Sequence, residues 1–185
     1  MVCPVFVYGS PVLRKTAVEI GKEYEGLSQL TDDLFETMYN AEGLGLAAPQ
    51  IGYSLKIFVI DAKPIEEDEP SVKGFKGVFI NPDILKVWGE EWLYNEGCLS
   101  IPGIREDIRR KSAIRITWYD ENYELHEQTF DGIRARIILH EYDHLQGILF
   151  TDHVSPLKKR LLKSKLFNIS KGKVDVRYKV KFPLR

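Results

Sequence analysis

A pair of histidines one helical turn apart offers the clearest chemistry in this sequence. The segment His140-Glu141-Tyr142-Asp143-His144 matches H-E-x-x-H, in which two histidines at i and i+4 lie on one helical face. Imidazoles at that spacing can bind one divalent ion, and Glu141 can approach a water on the ion without being a ligand. The segment therefore predicts a catalytic metal site with His140 and His144 as ligands.

A catalytic site of this kind needs a third protein ligand. Metalloproteases of the zincin type supply it downstream, but positions 150 and 164 are here a phenylalanine and a serine, so the protease pattern fails. His126 and His153 stay open as ligands, although both lie among polar residues. Cys98, in Glu96-Gly97-Cys98-Leu99-Ser100, is the stronger candidate because a thiolate is a good ligand for zinc or ferrous iron.

A glycine-rich segment precedes these ligands. Gly43-Leu44-Gly45-Leu46-Ala47-Ala48 satisfies the loose dinucleotide motif G-x-G-x-x-A, but it follows a predicted helix instead of a strand, and Pro49 interrupts the helix that would bind a pyrophosphate. A Rossmann fold is therefore disfavoured. A simple glycine turn would explain the segment, but it leaves Gln50 without a role.

The elements that must position these residues follow from the spacing of apolar side chains. Three helices are expected, the first at about residues 28–42 with Ser28 as N-cap, the second from Asp131 to Gly147, and the third opening at Ser155-Pro156. The expected strands are residues 55–61, 78–80, 84–88, 114–119, 123–130 and 174–182, with an exposed loop at 63–76. This pattern predicts an α+β fold, with antiparallel β-sheets packed around a central metal-binding helix.

Composition and charge restrict the class of protein. The chain has 185 residues, of which 44% are hydrophobic and 29% charged, which excludes collagen, a disordered tail and a bare coiled coil and favours one domain over 1–185. The net charge of −1 argues against a nucleic-acid coat or a membrane-surface protein. However, residues 155–185 carry eleven basic residues against one acidic residue, and none of the proposed chemistry lies in this basic tail.

The tail is expected to form a helix and a period-two strand. Leu157, Leu161, Leu162 and Leu166 are expected to face inward on the helix. The basic residues would then form a solvated face or a docking surface.

The two cysteines, Cys3 and Cys98, bear on the compartment. No basic leader precedes the short apolar segment at residues 2–8, and no apolar run reaches the 18 residues of a membrane span. We expect a cytoplasmic protein with reduced thiols and no disulfide.

Taken together, the three motifs resemble those of one family, the peptide deformylases of bacterial type. The order and the spacing of the motifs resemble those of the family, with 48 positions from Gln50 to Cys98 and 42 from Cys98 to His140. Pro11-Val12-Leu13-Arg14 also resembles the N-terminal segment of the family. The resemblance covers roughly residues 8–150.

This resemblance implies a reaction and a set of roles. The implied activity is removal of the formyl group from N-formylmethionyl nascent polypeptides, with release of formate. Cys98, His140 and His144 would hold one divalent metal, natively Fe²⁺, with Zn²⁺, Ni²⁺ or Co²⁺ able to replace it. Glu141 would move the proton, and the Gln50 amide and the Leu99 backbone N–H would stabilise charge on the formyl oxygen.

Substrate binding is expected on the glycine segment. The peptide would add as a strand against residues 43–46, where Gly43 and Gly45 let it approach. The implied substrate-binding residues are Gly43, Leu44, Gly45, Gly97, Arg105 and Ile137, and Ile101 would complete a pocket for the methionine side chain. Glu96 and Asp143 are expected to hold the ligating histidines or nearby arginines. The rival interpretation from another class is a non-catalytic protein with a structural Cys-His-His zinc and a partner-binding tail.

Overall fold

A computed structural model describes residues 1–183, so Leu184 and Arg185 of the basic tail lie outside the described residues. The three helices are α1 (Leu27–Asn40), α2 (Gly132–Leu145) and α3 (Pro156–Ser170). The strands are β1 (Val5–Phe6), β2 (Gly45–Ala47), β3 (Ile57–Asp61), β4 (Lys76–Cys98), β5 (Ile101–Tyr119), β6 (Leu125–Asp131) and β7 (Val180–Lys181). The α+β prediction is confirmed.

The main sheet is antiparallel and has the strand order β2-β3-β4-β5-β6. All five residues of β3 are buried because both of its faces are covered. Phe58 and Ile60 pack with apolar residues of α2, whereas Ile57 and Val59 pack with apolar residues of α1. A strand covered on both faces has an unbroken apolar sequence instead of an alternating one, and α2 is thereby held directly against the sheet.

One long hairpin, β4–β5, replaces the two short strands predicted at 78–80 and 84–88. Asn81-Pro82-Asp83 does not end a strand, because the irregular register between Ile80 and Asp83 is a β-bulge within β4. The side chain of Asn81 bonds both the N–H and the carbonyl of Ile20, which stabilises the bulge from outside the sheet. The hairpin closes at Leu99-Ser100, between Cys98 and Ile101.

The ends of the helices differ in detail from prediction. Gly26, and not Ser28, is the N-cap of α1. The third helix does begin behind Ser155, whose hydroxyl accepts the Lys158 N–H at 3.3 Å. Of the four leucines expected to face inward on α3, Leu162 and Leu166 are buried but Leu157 and Leu161 are exposed, because α3 lies against the hairpin through a narrower apolar stripe.

The predicted strand at 174–182 is much shorter than expected. Only Val180–Lys181 is a strand, and it pairs in parallel with Val5–Phe6 to form a separate two-stranded sheet. Residues 174–179 instead run towards the hairpin turn at Leu99-Ser100, where Tyr178 donates a hydrogen bond to the Leu99 carbonyl. Among the described helices, none is long and apolar enough to cross a membrane.

Candidate metal centre

Three ligand-type side chains meet where α2 passes the closed end of the β4–β5 hairpin. One atom each of Cys98, His140 and His144 lie within 4.8 Å of one another, and Cys98 Sγ is 3.3 Å from His144 Nε2. The helix supplies the two histidines from successive turns, and the hairpin supplies the thiol. The structure therefore brings together the three residues predicted from sequence as ligands, and it adds neither His126 nor His153 to them.

The two other histidines have partners elsewhere. His126 Nε2 lies 2.8 Å from the Asp120 carboxylate, and His153 Nε2 lies 2.8 Å from Asp143. Asp120, Glu124 and His126 also come close enough together to form a possible ligand group, but Glu124 is exposed to solvent. The sequence-based preference for Cys98 as third ligand therefore agrees with the geometry.

The donor set fits a divalent transition metal. One thiolate and two imidazoles suit zinc, ferrous iron, nickel or cobalt better than magnesium or calcium, which prefer oxygen. Burial opposes ionisation of the Cys98 thiol, but the adjacent His144 and His140 outweigh it and lower the pKa of Cys98 to about 5. The thiol is thus held in the ionised form that binds metals.

Glu96 holds His140 in place. Its Oε2 lies 2.9 Å from His140 Nδ1, which leaves Nε2 of that ring free to face Cys98 and His144. Burial opposes protonation of His140, but Cys98 and then Glu96 raise its pKa well above the usual value for histidine. A carboxylate on the outer nitrogen is the usual way in which a metal-binding histidine is oriented, as expected for Glu96 from sequence.

Two buried arginines compensate the charge of Glu96. Arg110 Nε donates to Glu96 Oε1 at 2.8 Å, and Arg136 Nη1 donates to the same oxygen at 2.9 Å. Arg110 also donates to Asp143 at 2.7 Å. Burial disfavours ionisation of Glu96, but His140 and Arg110 outweigh it and lower the pKa of this carboxyl. The result is a charged network that connects the ligand-type residue His140 to both strands of the hairpin.

The sequence-based reasoning did not single out Arg110 or Arg136. Arg136 could have been found, because it lies one turn before His140 on the helix and so shares its buried face, where a guanidinium requires an acidic partner. Arg110 lies in a run of charged residues on β5 in which every second side chain is exposed. The alternation could have marked it, because position 110 lies on the same face of the strand as the buried Ile104 and Ile108.

Glu141 lies beside the three ligand-type residues, as predicted. Its side chain is buried, and Oε2 has no hydrogen-bond partner. Burial raises the pKa of Glu141 to about 7, although the positive charges of His140 and His144 act against the rise. A carboxyl group with a pKa near neutrality can both accept and return a proton.

Gln50 is placed in the site by its own local structure. Its Oε1 accepts the Ala47 N–H at 2.8 Å, which turns the NH₂ group towards the hairpin. That group donates to Ser100 Oγ at 3.2 Å and lies 3.6 Å from Cys98 Sγ. The position of Gln50, buried and beside the thiol, agrees with the role expected for it.

A cavity of about 670 Å³ opens over the ligand-type residues. All of the residues predicted to bind substrate line it, namely Gly43, Leu44, Gly45, Gly97, Arg105 and Ile137, together with Ile101 and Leu99. Arg105 lies across Gly97 and donates to the Asn95 backbone carbonyl at 2.6 Å. Asp175, Val176, Arg177 and Tyr178 also line it, so the basic tail forms part of the cavity wall although none of the three ligand-type residues lies in it.

Comparison with known proteins agrees with this geometry. The sequence model of the family described as polypeptide deformylase matches residues 2–160. The peptide deformylase of Christiangramia forsetii is 52% identical over 99% of this chain and 97% of its own length. That of Cytophaga hutchinsonii is 49% identical over the whole of both chains.

Solved structures of peptide deformylases are also similar to this chain. The crystal structure of a peptide deformylase from Legionella pneumophila has a TM-score of 0.81 and 35% identity, and covers 94% of this chain and 98% of its own. That from Thermotoga maritima has a TM-score of 0.75 and 38% identity, and covers 84% and 99%. The chain belongs to the polypeptide deformylase family, and is a hydrolase that removes the N-terminal formyl group from newly made polypeptides.

Proposed function

We propose that Cys98, His140 and His144 hold one divalent metal ion, natively Fe²⁺, and that deformylation takes place beside it. The observation that carries this proposal is the convergence of the three donor atoms within 4.8 Å next to a buried carboxylate oxygen without a partner. A bound ion would act as a Lewis acid, lowering the pKa of a water molecule and polarising the formyl oxygen.

Glu141 is proposed as the general base and acid. Its carboxylate takes a proton from the attacking water and then returns it to the nitrogen that leaves as the new amino terminus. The pKa of about 7 suits both steps at neutral pH.

Gln50 and Leu99 are proposed to stabilise the negative charge that develops on the formyl oxygen. The Gln50 NH₂ group is already directed towards Cys98 by the hydrogen bond from Ala47 to its carbonyl oxygen. The Leu99 N–H belongs to the tight turn beside the thiol. Donors that are fixed before reaction need no reorganisation, and each contributes about 2.7–4 kcal/mol in comparable oxyanion sites.

The peptide is proposed to add as an antiparallel strand to β2. That strand is at the edge of the main sheet and pairs only with β3, so its other edge faces the cavity. Leu44, Ile101 and Ile137 line the cavity and would surround the methionine side chain. Arg105, which uses two of its five N–H donors on Asn95, would face the peptide further along, and Gly97 leaves room for the Arg105 side chain.

Gly45 is proposed to have a second role besides the expected one of letting the peptide approach. A Cβ atom at this position would lie 2.6 Å from Glu141 Oε1. The missing side chain therefore makes room for the general base as well as for the peptide. Gly43 similarly leaves room for Leu99, whose Cδ1 would lie 2.8 Å from a Cβ at position 43.

The test is an anaerobic assay on a short N-formylmethionyl peptide, with metal content measured on the same sample. Protein loaded with Fe²⁺ or Ni²⁺ is expected to release formate, and metal-free protein is not. The same peptide carrying an acetyl group is the control. Absence of formate from a sample with one metal ion per chain would exclude the proposed function.

We further propose that residues 1–185 form one deformylase domain that acts in the cytoplasm and docks transiently on the ribosome. Lys159, Arg160, Lys163 and Lys165 are exposed on α3, and polyanionic RNA would attract them. Charge reversal at Arg160 and Lys163 should abolish salt-dependent co-sedimentation with ribosomes and leave peptide turnover unchanged. Co-sedimentation that persists in the variant would exclude this surface.

A further inference from the structure

The segment that follows α3 returns to the hairpin turn of the metal centre. Residues 174–179 lead into β7, whose pairing with β1 is fixed by a hydrogen bond from the Val5 N–H to the Lys179 carbonyl at 2.9 Å. Tyr178 therefore has a fixed position directly before this strand. It lines the cavity, together with Arg177.

Three hydrogen bonds from different parts of the chain converge on the hairpin turn at Leu99-Ser100. The Tyr178 hydroxyl donates to the Leu99 carbonyl at 2.7 Å. The Tyr8 N–H donates to the Ser100 carbonyl at 2.8 Å, and the Gln50 amide donates to Ser100 Oγ at 3.2 Å. The two-stranded sheet thus holds the turn from both of its strands, through Tyr8 after β1 and Tyr178 before β7.

The carbonyl that Tyr178 binds belongs to the residue whose N–H is proposed to contact the formyl oxygen. The two groups lie on either side of the Leu99 Cα atom, so they are linked only by the φ and ψ angles of that residue. A hydroxyl that fixes the carbonyl therefore limits the directions in which the N–H can point. Leu99 is half-buried and lies in a tight turn, and it has no sheet partner of its own to fix it.

We infer that Tyr178 is a positioning residue for deformylation, whose hydroxyl fixes the Leu99 carbonyl and so restricts the backbone angles of Leu99, which directs the N–H of this residue at the formyl oxygen. This inference rests on the role proposed above for Leu99. Tyr178 lies outside residues 2–160, the range that the family model matches. The motifs of the family therefore do not include it.

A simpler explanation is that the hydroxyl only satisfies its own need for a hydrogen bond, as buried tyrosines usually do. Tyr123 provides the matched control for that explanation. Its hydroxyl also donates to a backbone carbonyl, that of Ile20, in a half-buried setting away from the cavity. Tyr178→Phe and Tyr123→Phe each remove one hydroxyl that donates to a backbone carbonyl, and at Tyr123 the hydroxyl also accepts from the Asn81 amide at 3.3 Å.

The first measurement compares turnover of an N-formylmethionyl peptide by the two variants, at equal metal loading. Tyr178→Phe should lower kcat about 10-fold with KM unchanged, because misdirection of one oxyanion donor costs less than its removal, which lowers kcat by about 10²–10³. Tyr123→Phe should leave both constants unchanged. An unchanged kcat in Tyr178→Phe would overturn the inference, as would a change confined to KM, which would place the hydroxyl in peptide binding.

The second measurement does not depend on activity. In the Zn²⁺-loaded protein, the NMR order parameter of the Leu99 N–H should be about 0.85 in the wild type and in Tyr123→Phe, and should fall below about 0.6 in Tyr178→Phe. An unchanged value in Tyr178→Phe would also overturn the inference. Wild-type protein without deformylase activity would instead exclude the proposed function, and the order parameter would still test the positioning of Leu99.

Discussion

The carboxylate of Glu141 is packed against the Cα atom of Gly45, so that helix α2 and edge strand β2 are in contact beside the candidate metal centre. A Cβ at position 45 would lie 2.6 Å from Oε1 and 2.8 Å from Cγ of Glu141. Only glycine leaves this space. The glycine at position 45 of the dinucleotide-like pattern is therefore required by the packing of Glu141, and not by binding of a phosphate.

Gly45→Ala should displace the Glu141 side chain and lower kcat by about 100-fold, since small displacements of reacting groups have effects of that size. Metal content should be unchanged because none of the three ligand-type residues is touched. The matched control is Gly77→Ala on β4, where a Cβ would meet Phe79 at an ordinary 3.5 Å. Wild-type turnover in Gly45→Ala would contradict the proposed position of Glu141 in the reaction.

Glu141→Gln should retain the metal and lose activity by about 10²–10⁴-fold, because the amide has nearly the same shape but cannot accept the proton from water. Metal analysis and formate release on one sample check both parts. Glu90→Gln, an exposed residue on β4, serves as control and should behave as the wild type. If Glu141→Gln turned over at the wild-type rate, Glu141 would not be the general base.

Cys98→Ala should lose the metal, whereas Cys3→Ala should keep it. Both cysteines are free and Cys3 is buried away from the centre, beside Asp33 and Thr37. Comparison of the two variants therefore distinguishes loss of a metal ligand from loss of a thiol elsewhere in the protein. Metal analysis after gel filtration gives the answer, and a full equivalent of metal in Cys98→Ala would exclude Cys98 as a ligand.

Glu96→Ala should destabilise the protein by about 3–5 kcal/mol, since it leaves Arg110 and Arg136 buried without their shared carboxylate. Metal affinity should fall about 10- to 100-fold because His140 loses the group that orients it. Denaturant unfolding and competition with a chelator measure the two effects.

The control for Glu96→Ala lies on the same strand. Glu91 pairs with Lys111 at 3.6 Å in an exposed setting, so Glu91→Ala should change the free energy of unfolding by less than about 1 kcal/mol. Equal effects of the two substitutions would show that the buried network adds nothing to stability.

The residues of the candidate metal centre could largely be named from sequence because they lie in three short segments with fixed spacing. The i, i+4 spacing of His140 and His144 specifies a shared helical face wherever the helix lies. Cys98 could be proposed from the ligand chemistry of its thiolate, and its motif resembles one of a known family, but a cysteine far away in sequence has no local signal that points to a helix. The contact between Glu141 and Gly45 had no such signal either.

The fold was predictable where apolar spacing is regular and less so where tertiary contacts override it. Residues 57–61 have an unbroken apolar run because helices cover both faces. Asn81-Pro82 has the sequence of a turn, but contacts of Asn81 with Ile20 keep the strand continuous. Residues 174–179 alternate like a strand, yet no neighbouring strand pairs with them, and they line the cavity instead.

The parallel pairing of Val5 with Val180 also bears on the order of folding. Bringing together residues so distant in sequence costs a large loop-closure entropy. We therefore expect these contacts to form after the local hairpin and helices have shortened the intervening loop and lowered that cost. We therefore expect the metal ligands, which need only the hairpin and α2, to assemble before the Leu99 turn is held in place. Metal capture would then precede the acquisition of full catalytic power.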